Sequence, residues 1–133
     1  MRIPGLGSAG ATALCRNANN EISSCSSSLR YKTNVSSFTL GLDLVNKLRP
    51  ITFDWKQDGM HDLGLGAEDV AAVSELLVIR NSDGQVEGVK YDRIGVVLLN
   101  AVKQQQAQIE ELKKQIEALK KLVVSKSNGD VQK

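Results

Sequence analysis

The apolar positions of this chain change period along its length, and each change predicts a different element. From Leu98 onward the steps alternate between four and three residues, through Leu98, Val102, Gln105, Ile109, Leu112, Ile116, Leu119 and Val123. That is a heptad seam interrupted only by Gln105, and it predicts a helix over 98–124 that pairs with copies of itself. A face docked on its own domain follows the 3.6-residue turn of a straight helix, whereas a strict 3.5-residue repeat winds into a supercoil. Val102, Ile109, Ile116 and Val123 at one seam position, with leucine at the other, lean towards two strands. Glu110 with Lys114 and Glu117 with Lys121 stand four residues apart on the helix surface, each pair worth about 0.2 to 0.5 kcal/mol. Beyond Val124 the run Ser125-Lys126-Ser127-Asn128-Gly129-Asp130 is polar and turn-rich, which predicts a flexible tail over 125–133.

Between Phe38 and Tyr91 the pattern is mixed. Leu40, Leu44, Val45 and Leu48 recur at helical spacing until Arg49-Pro50 stops them, predicting a short helix within 38–48. Ile51 to Lys56 alternates apolar and polar residues like a half-buried strand, and Gln57-Asp58-Gly59 offers a turn, with His61 expected in that turn and given no role. Leu63-Gly64-Leu65-Gly66-Ala67 reads as a glycine-bearing strand that feeds a short helix whose acidic first turn, Glu68-Asp69, suits the helix dipole. Only two glycines are present, no lysine follows them, and an acidic turn repels anions, so they read as tight packing rather than a phosphate cradle. Leu76 to Arg80 and Val86 to Tyr91 flank Asn81-Ser82-Asp83-Gly84, a hairpin signal. The fold class is α+β, with short strands and helices ahead of a long C-terminal helix.

Residues 1–26 are small and polar, with strand-like pieces at Ala11–Cys15 and Glu21–Cys25, and read as the end of a β-rich stalk. Met1-Arg2-Ile3-Pro4-Gly5-Leu6-Gly7 looks like a start inside a longer open reading frame, so the chain is expected to be the C-terminal part of a larger protein. Asn17-Ala18-Asn19-Asn20 tolerates turn conformations. A loop centred on Asn20 pairs residues whose numbers sum to 40, which sets Cys15 opposite Cys25. A disulfide there would close a loop worth about 3 kcal/mol, and would form only in an oxidising setting. Two cysteines and one distant His61 leave a tetrahedral zinc site short of ligands, so no metal or cofactor is expected.

Composition adds that aromatic residues make up only 4% of the 133 residues, so a single chain has few large anchors and a thin core that assembly would thicken. A formal net charge of +2 is too balanced for a nucleic-acid surface. No run of 18 apolar residues is present to span a membrane, and the N-terminus lacks a basic start followed by an apolar stretch.

The candidate chemistry lies in Ser26-Ser27-Ser28-Leu29-Arg30-Tyr31-Lys32. A serine hydroxyl becomes a nucleophile when a neighbouring group takes its proton, and a lysine does so only when burial or a like charge destabilises its ammonium. Ser27 and Lys32 form that pair by spacing, with Arg30 as the like charge.

In order along the chain, Ser27-x-x-Arg30-x-Lys32-x-Asn34-Val35, then Leu44-Val45-x-x-Leu48-Arg49-Pro50-Ile51-x-Phe53-x-Trp55-Lys56, then Leu63-Gly64-Leu65-Gly66-Ala67-Glu68-Asp69-Val70, then Val89-x-Tyr91 resemble the self-cleaving intramolecular chaperone domain of phage endosialidase tailspikes, over Ser27 to about Gln108. The resemblance implies a homo-oligomer, usually a trimer in place of the dimer the seam leans to. It further implies a domain that folds the fibrous segment ahead of it and then cuts itself off. Ser27 and Lys32 match its catalytic pair, and the cut falls at the Ser26–Ser27 bond. Members often carry aspartate after the serine, where this chain has Ser28; the register of Arg30 and Lys32 selects Ser27. The expected layout is a stalk end over 1–26, a chaperone and autoprotease domain over 27–97, a coiled-coil helix over 98–124 and the tail. The expected partners are copies of the chain and its own upstream fibre, in a virion tail or on a bacterial surface. The competing reading is an attachment module that assembles without cutting.

Overall fold

The structure is a computed structural model that describes residues 10, 11 and 13–131, in two units, Met1–Ser37 and Phe38–Lys133. The start Met1–Gly7 lies outside the described residues.

In the first unit, β1 (Leu14–Arg16) and β2 (Ile22–Ser24) form an antiparallel hairpin. Asn17 builds the connection, its side-chain oxygen accepting the backbone N–H of Asn19 at 3.0 Å and of Glu21 at 2.9 Å, while Asn20 takes a left-handed φ of 65°. Because Asn17 closes on Glu21, the hairpin centres on Asn19 and not on Asn20, and Cys15 pairs with Ser23 rather than facing Cys25. Cys25 lies one residue past the last paired position, where no ladder holds it, and a disulfide still joins it to Cys15 across a Cα separation of 5.1 Å.

The second unit is α+β. Helix α1 (Leu42–Val45) is shorter than the 38–48 periodicity predicts. Phe38 to Leu40 lie outside the helix, their backbone carbonyls bonded instead by the side chains of Asn100 and Gln104. Strands β3 (Pro50–Asp54) and β4 (His61–Leu65) pair antiparallel, with Ile51 and Phe53 turned to the half-buried side. Between them Gly59 turns the chain at a φ of 72°. Helix α2 (Ala67–Val73) carries Glu68 and Asp69 in its first turn, and a 3-10 turn at Glu75–Leu77 leads into β5 (Val78–Arg80), paired with β6 (Val86–Val89). The 3-10 turn claims Leu76 and Leu77, which the sequence pattern assigns to a strand.

Helix α3 (Tyr91–Val131) starts ahead of the heptads and runs past Val124 through the polar segment expected to end it. No proline interrupts that segment, and a single Gly129 costs a helix only about 1 kcal/mol. The core gathers Leu44, Val70, Leu77, Val78 and Val97, with Leu48, Leu65, Ala71, Val86, Val89 and Ile94 packed around them. None of the five is aromatic, in keeping with the thin core that the composition predicts.

Candidate active site at Ser27 and Lys32

The site is built by a reversal of the chain within the first unit. Past β2 the backbone is extended at Ser28, then closes one 3-10 turn at Leu29–Tyr31, in which Tyr31 N–H donates to Ser28 O at 3.2 Å and Lys32 N–H to Leu29 O at 2.9 Å. Lys32 returns to extended backbone at the end of the turn, and its side chain reaches back over five residues. Its Nζ donates to Ser27 Oγ at 3.2 Å. Sequence spacing proposes this pair, and the turn brings the two groups within hydrogen-bond reach.

The other serines have different surroundings. Ser26 Oγ accepts the backbone N–H of Ser28 at 3.3 Å, and Ser28 supplies the carbonyl that opens the turn. Arg30 turns its guanidinium over the Tyr31 ring, 4.9 Å from the centroid. Ser27 and Lys32 are both exposed in the single chain.

The remaining polar clusters sit in the second unit. His61 is the first residue of β4 rather than part of the turn, and its Nδ1 lies 2.6 Å from Asp54 Oδ1 on the paired strand. Asp62 accepts the backbone N–H of Leu63 at 2.8 Å and the Trp55 indole N–H at 3.1 Å, and these bonds hold its carboxyl below the usual carboxylate range. Gly64 makes room for the Tyr91 hydroxyl, which would stand 2.6 Å from an added Cβ and which accepts the Leu65 N–H at 2.8 Å. Gly64 therefore serves packing. Among the described residues no three His, Cys, Asp or Glu side chains gather as metal ligands.

Asn100 and Gln104 are the residues sequence reading passed over. Asn100 Nδ2 donates to Phe38 O and Leu40 O at 2.7 and 3.1 Å. Gln104 donates from Nε2 to Thr39 O at 3.3 Å and accepts the Leu42 N–H at Oε1 at 2.8 Å. Two amides four residues apart, and so on one side of the helix, are the signal that marks them.

Residues 27–79 match the peptidase S74 family model, described as the chaperone of endosialidase. Over that segment the chain is similar to an endosialidase-type chaperone domain. The match opens on Ser27 and closes at Ile79, so it takes in the Ser27–Lys32 turn, the β3–β4 hairpin and α2, and stops short of the Gln108 limit drawn from the motifs. No curated protein and no solved structure matches the chain significantly. Helix α3 lies beyond the matched segment, and its role is read from its own geometry.

Proposed function

We propose that the chain is an intramolecular chaperone that assembles as a homotrimer, templates the folding of a fibrous segment upstream, and frees itself by one cut at the Ser26–Ser27 bond. The contact that carries this reading is Lys32 Nζ at 3.2 Å from Ser27 Oγ, at the residue where the family match begins. The nucleophile belongs to the residue just after the scissile bond. Neutral Lys32 takes the Ser27 hydroxyl proton as Oγ attacks the Ser26 carbonyl carbon. The Ser26–Ser27 C–N bond then breaks, Lys32 returns the proton to the Ser27 nitrogen, and an ester links Ser26 to Ser27 Oγ. Water hydrolyses that ester, giving a carboxylate on Ser26 and restoring the serine.

Ser27 and Lys32 stand exposed in the single chain. Burial by a neighbouring copy would disfavour the ammonium and switch the base on, which makes release follow assembly. Once the template is gone, an unfolded fibre has no route back, and the product resists unfolding kinetically.

Helix α3 supports the assembly half. Ile94, Val97 and Ala101 face its own unit, while Leu98 and Val102 each follow a docked residue by one position, about 100° around the helix. From Leu98 to Val123 the apolar seam residues stay 45 to 66% exposed. The seam is thus not spent on the chain's own core.

The test is the chain fused to an upstream stalk, run on a denaturing gel and by mass spectrometry beside Ser27→Ala and Lys32→Ala. The expected products are residues up to Ser26 and a fragment opening at Ser27, with both variants intact. An uncut wild type would sink the peptidase reading and leave the second one, an attachment module that keeps residues 1–26. Ser28 in the place of the family's frequent aspartate, beside an exposed pair, favours that alternative.

A further inference from the structure

We infer that Ser26 is a positioning residue for the cut at its own carbonyl, an assignment that rests on the cleavage reading above. Three serines stand in a row, and the structure gives their polar groups three different partners. Ser27 Oγ meets Lys32, Ser28 offers its carbonyl to Tyr31, and Ser26 Oγ accepts the Ser28 N–H at 3.3 Å. Among the described residues this last bond is the one that bridges the Ser26–Ser27 peptide. The ring it closes contains the ψ of Ser26 and both backbone dihedrals of Ser27. Those angles decide where the Ser26 carbonyl carbon stands relative to Ser27 Oγ, the two atoms that must bond.

The setting makes such a restraint useful. Strand β2 ends at Ser24 and the 3-10 turn starts at Leu29, so neither ladder nor turn fixes the scissile peptide. A side chain that accepts from the N–H two residues on is a local substitute for regular structure. It narrows the search for the attack geometry, and orientation of reacting groups is a large part of the rate of an intramolecular step. The group acts through the backbone and exchanges no proton with the nucleophile.

The experiment follows release of the 1–26 fragment from the 133-residue chain by mass spectrometry, for wild type, Ser26→Ala, Ser26→Thr and Ser26→Asn, each at matched oligomeric state by light scattering. Loss of the acceptor in Ser26→Ala is expected to slow the cut about three- to tenfold, the range that one net hydrogen bond spans. Threonine keeps the hydroxyl and asparagine supplies a side-chain carbonyl for the same contact, so both are expected within about twofold of wild type. The new N-terminus stays at Ser27 in all four. Equal rates for Ser26→Ala and wild type would overturn the positioning role while leaving the cleavage reading in place. Threonine and asparagine variants as slow as alanine would also overturn it, because side-chain shape and not the acceptor would then set the rate. A wild-type chain that never cuts removes the cleavage reading, and the role of Ser26 falls with it.

Discussion

Gly41 has no room for a methyl group. A Cβ there would stand 2.8 Å from Ala101 N, 2.9 Å from Asn100 C and 2.6 Å from Gln104 Oε1, and the first two are helix backbone that cannot step aside. Gly41→Ala is expected to cost about 1 to 3 kcal/mol, as overpacking does, measured by chemical denaturation of the assembled protein. Asn100→Ala leaves the Phe38 and Leu40 carbonyls without their partner and is expected to cost about 1 to 3 kcal/mol. The Ser27–Lys32 spacing was legible because one turn of chain suffices to close it. The amides of Asn100 and Gln104 act on residues about sixty positions away, and no local pattern carries such a distance.

Among the elements, carboxylates held below their usual range brace the β3–β4 hairpin and join the 3-10 turn to β5. Asp62 is held there by the Leu63 N–H and the Trp55 indole, and Glu75 by the Arg80 guanidinium. A depressed folded value means that the unfolded chain binds the proton first, so this stability is complete above the ordinary carboxylate value and is lost as pH falls through the folded one. The melting temperature is expected to hold between about pH 7 and 5 and to fall below about pH 4, and Asp62→Asn to flatten that acid limb, read by circular dichroism. Alternation announced β3 and the Asn-Ser-Asp-Gly turn announced the β5–β6 hairpin, since both signals are local. The N-terminal hairpin shows the limit of that reading. Its turn residues were visible, yet the side chain of Asn17 moved the centre by one position and with it every cross-strand pair. In α3 the surface pairs close at three residues, Glu110 with Lys113 and Glu117 with Lys120, rather than at four. Both spacings are neighbours on a helix, and sequence does not choose between them.

For the whole molecule, the exposed seam is the feature on which the proposed assembly would depend. Leu112→Asp would set one charge per chain in a single layer of the proposed coiled coil and is expected to cost at least about 2 kcal/mol per chain, read as a shift to monomer by analytical ultracentrifugation. The same variant is expected to stay uncut at concentrations where wild type is released, whereas cutting in a monomer would separate the two events. The disulfide hairpin lies entirely ahead of Ser26: both strands, the Asn17 loop and both cysteines precede the proposed cut. Whatever is severed there leaves with a covalently closed end, one residue from its new carboxyl terminus, and a stapled end gives an exopeptidase nothing loose to pull.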